Sequence, residues 1–483
     1  MLPLMGTSAV YWSLVTDSVT SLLSASNHAK LRRTRSRVIR RVAVAVAFGQ
    51  ASKMPTPLLP VLVGCVLTLA AGNTAMAAQR GISRNSVYRQ VSVLAELGRK
   101  LFFDPRLSSS GQLSCASCHD PAHAYGPPTA RSVEAGGKDM RRAGLRTVPS
   151  LRYSQVTPHF TEHFFDSDDE PNAGVDNGPT GGLTWDGRAD RGRDQARLPL
   201  LSSSEMANDS PAVIVAHVKK SSYASLLRDA FGTAIFDNTQ KAFAGVLQAF
   251  EAFEQQHAEF YPYSSRYDAY LTGKAALTAQ EARGLAAFND PAKGNCAHCH
   301  PSALGADGTP PQFTDYGFAA LGVPRNMDIP ANTDPAFYDL GLCGPLRTDL
   351  RGHPEYCGMF KTPTLRNVAL RHSFFHNGVF HTLKEVLGLY AERDTNAGKW
   401  YRRNQDGTVR KFDDLPARYH ANVNIEPPFD RHAGDEPVLS AQDIDDIIAF
   451  LQTLNDGYLD GKRQPKVSPS ARWPALREAS GRF

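Results

Sequence analysis

Apolar residues recur at helical spacing in three segments of the chain. In residues 239–256, five large apolar side chains fall on one face of a helix: Phe243, Val246, Leu247, Phe250 and Phe253. A second helix is predicted from Thr278, which forms a capping-box pattern with Glu281. A third is predicted to follow Ser440, with an apolar side of Ile444, Ile447, Ile448 and Leu451. No segment sustains the alternation of apolar and polar residues typical of a strand, so the pattern predicts an all-α protein with little strand.

Long segments rich in Gly, Pro and Asp separate these helices, at residues 120–182, 301–360 and 393–437. Such a composition is typical of surface loops, which often carry binding and catalytic residues. We therefore expect functional side chains in the loops as well as on the helices.

The N-terminal segment is predicted to be an export signal. A basic run at residues 30–41 is followed by an apolar stretch at residues 58–72 and an A-x-A cleavage sequence at residues 75–77. We expect residues 1–77 to be a leader, with Met54 as an alternative start, and the protein to be periplasmic.

Two other interpretations of the leader stay open. The apolar stretch could be a buried helix or a single membrane anchor, although it is short for a membrane span. The sequence ending at Cys65 also resembles a lipoprotein cleavage site, but the residues after it remain apolar. We predict no stable membrane span in the mature chain.

The charge of the chain changes once the leader is set aside. The 53 basic and 48 acidic residues give a net charge of +5, which alone would favour a nucleic-acid or membrane-surface partner. Eight of the basic residues and one acidic residue lie in residues 1–77, which leaves 45 basic against 47 acidic residues, a net charge of −2. We therefore predict no nucleic-acid partner.

Four of the seven cysteines lie in two C-x-x-C-H motifs, the attachment signature of c-type haem. Cys115 and Cys118 precede His119, and the second motif consists of Cys296, Cys299 and His300. In each, the two thiols bond to the haem and the histidine reaches the iron. A zinc site and a thioredoxin-type redox pair are the alternatives. We predict two covalently attached c-type haems.

The cysteines outside these motifs and the leader are Cys343 and Cys357, which lie in one loop. They can close a disulfide, which would contribute about 3 kcal/mol in the chain-entropy model. The alternative is a pair of free thiols.

The two motifs are 181 residues apart, which predicts two cytochrome c-like haem domains with long loops. A Tyr- and Ser-rich stretch near residues 261–272 suggests the boundary between them. We predict an N-terminal haem domain at 78–265, a C-terminal haem domain at 266–460, and a tail at 461–483.

Three longer blocks extend the motifs: LFFDPRLSSSGQLSCASCHDP at 101–121, TWDGRADRGRDQARLPLLSSSEM at 184–206, and FKTPTLRNVALRHSFFHNGVFHTLKEVLGLY at 360–390. In this order they resemble the bacterial dihaem cytochrome c peroxidases, a superfamily that includes MauG. The resemblance covers roughly residues 90–460.

The resemblance implies roles for individual residues. His119 would bind the haem that reacts with peroxide, and Trp185 would carry electrons between the haems. Distal-pocket roles fall to Gln195, Pro199 and Glu205. Taken alone, Trp185 would be a core residue and Glu205 a surface residue at a helix start. In the family context, Glu205 would act as the acid and base that moves a proton between the peroxide oxygens, and the sites would be supported by Arg188 and His376.

Two positions depart from the typical peroxidase. The histidine that accompanies reductive activation is replaced by Ala135, which implies an open sixth position on the first haem. His123, His159 and His163 are other histidines that could reach that iron.

At the distal position of the second haem, Tyr390 replaces the methionine of the peroxidases and matches the tyrosine of MauG. Its spacing along the helix also fits simple core packing, and Met359 is the alternative thioether ligand nearby. A phenolate ligand would lower the reduction potential of the haem relative to a thioether.

A calcium ion between the domains is common in the family. Its side-chain ligand corresponds to Thr147 here, and its carbonyl ligands to Arg371 and Ser373. The loss of an amide and the added arginine leave calcium as an open alternative.

The sequence thus supports three functional hypotheses. The first is an exported dihaem peroxidase that reduces hydrogen peroxide with electrons from a small donor protein, a cytochrome c or a cupredoxin. The second is a MauG-like oxidase that uses peroxide to oxidise Tyr or Trp residues of a partner protein. The third is a dihaem electron-transfer cytochrome without peroxide chemistry.

Overall fold

The computed structural model of the protein describes residues 84–165 and 175–458. The predicted leader at 1–77, including the Met54 and Cys65 alternatives, and the predicted tail at 461–483 lie outside the described residues. Nothing in the structure therefore tests them.

Helices dominate the described chain. The α-helices are α1 (Arg84–Phe102), α2 (Cys115–Cys118), α3 (Gly192–Leu201), α4 (Pro211–Lys220), α5 (Ala224–Phe231), α6 (Thr239–Glu254), α7 (His257–Phe260), α8 (Arg266–Leu271), α9 (Ala279–Asn289), α10 (Cys296–Cys299), α11 (Leu383–Glu392), α12 (Ala397–Trp400) and α13 (Ala441–Gln452). Short 3₁₀ turns lie at Pro105–Leu107, Pro121–His123, Ser154–Val156, Thr233–Asp237, Pro330–Thr333, Pro354–Tyr356, Val368–Leu370 and Ala417–Asn422.

The strands are β1 (Ala135–Gly136), β2 (Arg142–Ala143), β3 (Phe318–Ala319) and β4 (Phe360–Lys361). They form two antiparallel two-stranded sheets, β1 with β2 and β3 with β4. The predicted all-α fold with little strand is confirmed.

The three predicted helices form where their capping residues place them. Helix α6 starts after Asn238, whose side chain accepts from the Lys241 N–H at 2.9 Å. Thr278 forms the predicted capping box with Glu281 at the start of α9, and Ser440 starts α13 as predicted, with a capping box to Asp443. The apolar face predicted for α6 is buried along its length, as expected when helix stability comes mainly from tertiary packing.

Two apolar cores lie in succession along the chain. The first contains buried residues from Leu94 to Phe260, and the second from Tyr267 to Leu454. The division into domains 78–265 and 266–460 remains a prediction, because all described residues belong to one compact unit, Gln79–Phe483.

In each core, two long helices meet at a glycine. A Cβ at Gly98 of α1 would lie 1.9 Å from the Ala249 carbonyl oxygen of α6. A Cβ at Gly284 of α9 would lie 1.9 Å from the Asp446 carbonyl oxygen of α13. The backbones therefore approach too closely for any side chain. In both halves the glycine-bearing helix leads into a C-x-x-C-H motif.

Within residues 84–165 and 175–458, no helix combines the length and the apolar character needed to cross a bilayer.

We predict that Gly98→Ala and Gly284→Ala each lower the free energy of unfolding by about 1–3 kcal/mol, because the added methyl forces the helices apart. This loss exceeds the roughly 1 kcal/mol that alanine gains over glycine in helix propensity. Chemical denaturation followed by circular dichroism measures the change.

The matched control is Gly352→Ala, because a Cβ there meets no atom within 4 Å. We expect its effect to stay within about 0.5 kcal/mol. A helix variant as stable as this control would show that the close approach does not constrain the fold.

Candidate functional site

The first C-x-x-C-H motif forms one helical turn followed by its histidine. Ser114 precedes α2, and its backbone N–H donates to the Ser117 hydroxyl at 3.0 Å. The Nδ1 atom of His119 lies 3.0 Å from the Tyr125 carbonyl oxygen, and because a carbonyl only accepts, Nδ1 is the donor. Burial lowers the pKa of His119 to about 4. The imidazole is therefore neutral near pH 7, with the lone pair on Nε2 as a metal ligand requires.

The second motif repeats this arrangement. Helix α10 carries Cys296 and Cys299, and the Nδ1 atom of His300 lies 2.7 Å from the Phe313 carbonyl oxygen. Burial again lowers the pKa of the histidine. Both motif histidines thus have the tautomer that suits an axial haem ligand.

The thiols of the two motifs distinguish haem from the alternatives. All four motif cysteines are free thiols, and burial raises the pKa of Cys118, Cys296 and Cys299 to about 12. A reactive redox pair needs a lowered thiol pKa, so that alternative has no support. The zinc alternative has no support either, because the described residues bring together no group of three or more His, Cys, Asp or Glu side chains that could hold a metal ion.

The structure joins Cys343 and Cys357 in a disulfide, with their Cα atoms 5.0 Å apart. Both residues are buried. The bond closes the end of the long loop before β4, a loop that also contributes Asp339 to the ion network described below.

A cavity of about 500 Å³ brings several predicted site residues together. Its wall contains the second motif with Tyr390, and also Trp185, Gln195 and His376. The other predicted residues are outside that wall: Cys115, Cys118, His119, Arg188, Pro199 and Glu205. The cavity therefore belongs mainly to the second haem motif and reaches toward the first.

Glu205 lies beside the first motif. The Gly137 N–H donates to its carbonyl at 2.8 Å, and its charge acts on the thiols of both Cys115 and Cys118. Glu205 is exposed. The surrounding protein nevertheless desolvates the carboxyl, and this raises its pKa. A hydrogen bond with Ser202 and the charge of Arg188 act in the opposite direction.

Gln195 and Pro199 both lie on α3, which ends just before Glu205. Pro199 is inside the helix and has no N–H to donate to the Gln195 carbonyl. The helix therefore carries a local break between the two predicted distal residues.

Ala135 pairs with Ala143 in the β1–β2 ladder and so adjoins the Glu205 segment. Its methyl group cannot bind a metal. Of the alternative histidines, His123 contacts Asp120 at 2.8 Å and His163 contacts Asp176 at 2.6 Å through Nδ1.

Trp185 is held by backbone hydrogen bonds. Its Nε1 donates to the Thr147 carbonyl at 2.8 Å, and its own carbonyl accepts from the Lys361 N–H at 2.9 Å. The Thr147 N–H in turn donates to the His376 carbonyl at 2.8 Å. These bonds connect the predicted electron-transfer residue directly to the second half of the chain.

The residue after Trp185 anchors a buried ion network. Asp186, 0% exposed, pairs with Arg146 at 2.7 Å and with Arg188 at 2.8 Å, and Arg146 also pairs with Asp339 at 2.6 Å. Burial opposes ionisation of Asp186, but the two arginines outweigh it and hold the pKa of the carboxyl below its usual value. Arg188 therefore acts on this network as well as on Glu205.

Tyr390 faces the cavity between two phenylalanines. Ring centroids of Phe429 and Phe375 lie 5.3 and 6.1 Å from its own. Burial raises its pKa, and the nearby Cys299 and Cys296 add to the shift. The free phenol is thus neutral, and only a bound cation would favour its ionised form. Met359, the alternative ligand, is outside the cavity wall, and its carbonyl accepts from the Leu342 N–H.

His376 is fixed by stacking. Its ring lies 3.5 Å from the Phe360 ring at an interplanar angle of 6°. Burial lowers its pKa to about 3, so it is neutral at ordinary pH. Its Nε2 lies 3.9 Å from the Asp414 carboxylate.

Sequence reasoning missed two carboxyl groups on the cavity wall, Glu254 and Asp414. Burial raises the pKa of Glu254 to about 8 and that of Asp414 to about 7. A signal existed for Glu254, which follows Phe250 by four positions and so continues the apolar face of α6. None existed for Asp414, which lies in an irregular loop.

Comparison with known proteins agrees with this geometry. The family model described as di-haem cytochrome c peroxidase matches residues 92–276. Methylamine utilization protein MauG of Paracoccus denitrificans is 30% identical over 376 residues, which are 75% of this chain and 88% of that protein. Cytochrome c551 peroxidase of Pseudomonas aeruginosa is 30% identical over 296 residues, 61% of this chain and 70% of its own length.

Among solved structures, the diheme peroxidase BthA of Burkholderia thailandensis E264 is 38% identical, with a TM-score of 0.66. The match covers 75% of this chain and 86% of that one. The likeness therefore extends over both C-x-x-C-H motifs.

We predict that Asp186→Asn lowers the free energy of unfolding by about 3–5 kcal/mol at neutral pH, because it removes the carboxylate shared by the buried Arg146 and the half-buried Arg188. Since the folded-state pKa of Asp186 is lowered, its contribution is present above the ordinary aspartate pKa of about 3.9 and is lost as the pH falls through the lowered value. Denaturation at several pH values measures this.

Asp209→Asn is the matched control, because Asp209 forms an exposed pair with Lys138 at 2.7 Å. Its effect should not exceed about 1 kcal/mol. Equal losses in the two variants would mean that the buried network does not hold the Trp185 region.

Proposed function

The chain belongs to the di-haem cytochrome c peroxidase family, which includes MauG, and on that premise we propose that it is an exported peroxidase that reduces hydrogen peroxide to water. The observation that carries the proposal is the pair of neutral motif histidines, together with the Glu205 carboxyl, whose charge acts on the thiols of the first motif. Electrons would come from a small donor protein, a cytochrome c or a cupredoxin, in the periplasm.

The residues present fit two c-type haems. Cys115 and Cys118 would hold the first covalently, with His119 as axial ligand. For the second, the attaching thiols would be Cys296 and Cys299, and the axial ligands His300 and Tyr390. When bound, the haems would supply peroxide binding and electron transfer.

Glu205 is assigned the proton chemistry. Splitting hydrogen peroxide requires a proton to move from one oxygen to the other, which then departs as water. A carboxyl whose pKa is raised by desolvation is a better proton acceptor than an ordinary glutamate and can return the proton afterwards. The Gln195 amide can orient peroxide by hydrogen bonding, and Pro199 limits competing backbone donors on the same helix.

Trp185 is assigned the transfer of electrons between the two haem sites. Its indole N–H and carbonyl are both bonded to backbone groups, one of them on residue 147 and the other on Lys361. The adjacent Asp186 network fixes the turn that carries it. The ring is thereby held in one position by groups from both halves of the chain.

A second function, favoured by Tyr390 and Ala135, is a MauG-like oxidase that acts on Tyr or Trp of a partner protein. The position of Tyr390 on the cavity wall beside the second motif supports it as an axial ligand. A phenolate lowers the reduction potential and so disfavours ordinary electron donors. The relatives named here are peroxidases and MauG, so the electron-carrier hypothesis gains no support from them.

We predict that Glu205→Gln lowers the rate of peroxide reduction by about 10²–10⁴-fold, the usual contribution of a general acid–base group. Amide and carboxyl are similar in size, so haem binding should not change. Stopped-flow kinetics of the as-isolated protein with peroxide and a reduced cytochrome measures the rate, and a haemochrome assay confirms two haems per chain.

Glu436→Gln provides the matched control, since Glu436 is exposed and the charge change is the same. It should retain full activity. A wild-type protein with two low-spin haems and no peroxide turnover would overturn the peroxidase proposal and favour the electron carrier.

We predict that Tyr390→Met raises the reduction potential of the second haem, within the roughly 0.8 V range that axial ligands span. A thioether stabilises ferrous iron, so peroxide turnover with a small cytochrome donor should increase. Spectroelectrochemical titration measures the potential, and steady-state assays measure turnover.

Tyr270→Met is the control, because Tyr270 is exposed and outside the haem cavity. An unchanged potential in the Tyr390 variant would mean that Tyr390 packs in the core and does not bind iron, which removes the main support for the MauG-like function.

A further inference from the structure

In the family that this chain resembles, a calcium ion is common between the domains. In this structure the Arg371 side chain lies at the corresponding position. Arg371 Nη2 donates to the Val148 carbonyl at 2.9 Å and to the Ser373 carbonyl at 3.2 Å. Ser373 is one of the two positions where the family's carbonyl ligands would be. The guanidinium therefore takes an oxygen atom that calcium would need.

The remaining donors do not suit calcium either. The Thr147 and Ser373 hydroxyls share a hydrogen bond of 2.7 Å with each other. Calcium takes six to eight oxygen ligands, usually with several carboxylates, and the residues described here include no cluster of acidic groups fit for a metal ion. A divalent cation at this point would also face the like charge of Arg371. The residues present do not fit calcium.

Arg371 connects the two chain segments that a bridging calcium ion would connect, one containing Val148 and the other containing Ser373. Val148 directly follows Thr147. The Thr147 carbonyl accepts from the Trp185 indole N–H, and the Thr147 N–H donates to the His376 carbonyl. The next residue, Pro149, interacts through its backbone with the His119 ring. Ser373 lies on the loop of the second half that leads to His376.

The charge of Arg371 reaches both sites as well. It lines the cavity that contains the second motif, and its electrostatic effect contributes to the lowered pKa of His119. No carboxylate among the described residues forms a salt bridge with it, so the positive charge is not neutralised locally. Desolvation lowers its own pKa to about 10, which still leaves it charged near pH 7.

We propose that Arg371 is the built-in cation that couples the two haem sites, and that this protein needs no calcium to do so. The inference rests on the two haem sites proposed above. It assigns Arg371 a positioning role, because the guanidinium contacts backbone carbonyls and not the reacting atoms.

The test begins with the wild-type dihaem protein. After dialysis against a chelator, atomic emission should find far less than one calcium per chain. The resting electronic and EPR spectra and both reduction potentials should be the same with chelator and with added calcium chloride. Stoichiometric calcium, or a haem spectrum that changes when calcium is removed, would overturn the proposal.

Variants then test the arginine itself. Arg371→Gln should shift the resting haem spectrum and at least one reduction potential, and lower the melting temperature. Arg371→Lys keeps the charge but replaces the planar guanidinium with an ammonium group, and should restore the potentials in part. Exposed Arg141→Gln is the matched control and should change nothing.

Two outcomes separate this inference from the function it rests on. Normal spectra and potentials in Arg371→Gln, with two haems per chain, would overturn the role of Arg371 alone. Absence of covalent haem in the wild type, seen in the haemochrome assay, would instead overturn the haem proposal. If Arg371→Gln does not fold, the lysine variant and the wild-type chelator experiment still decide.

Discussion

The connection between the two halves of the chain that carry the haem motifs depends on backbone hydrogen bonds of residues 147–148. There, a carbonyl accepts from Trp185, an amide donates to His376, and the next carbonyl accepts from Arg371. Leaving a buried polar group unsatisfied costs about 1–3 kcal/mol, so none of these bonds is easily given up. Trp185, the proposed electron-transfer residue, is thus positioned against the second half of the chain by main-chain groups, which move less than side chains.

The helices make this short connection effective because they hold each motif rigidly. In both halves, a long helix with a glycine at its closest crossing leads into the C-x-x-C-H turn. The Nδ1–H of each motif histidine then donates to a backbone carbonyl further along the chain. His119 donates to Tyr125, and His300 donates to Phe313. The same helix packing occurs in both halves. Each motif is therefore fixed within its own core, and the loop segments connect the two cores.

Local patterns in the sequence account for what could be predicted. Haem attachment needs only five consecutive residues, and the helix starts need a hydroxyl or amide side chain before an apolar face, so both are visible without the fold. The roles of Glu205, Trp185 and Tyr390 came from the resemblance to a family, because their spacing alone allowed ordinary packing. Glu254, Asp414 and the contacts of Arg371 depend on which distant segments meet, and pairings such as Arg371 with Val148 leave no trace in local sequence.

Burial keeps the Tyr390 phenol neutral, and positive charges on the cavity wall would favour its phenolate form once iron is bound. Lys361 and Arg371 line the cavity without a carboxylate salt bridge among the described residues, and burial lowers the pKa of Lys361 to about 8. Burial raises the pKa of two carboxyls on the wall, Glu254 to about 8 and Asp414 to about 7, so near pH 7 Glu254 is mostly protonated and Asp414 is only partly ionised. The charge of Arg371 penalises a further cation such as calcium. Together with Lys361 it favours anionic groups, including haem propionates and a phenolate that ionises only when iron is present.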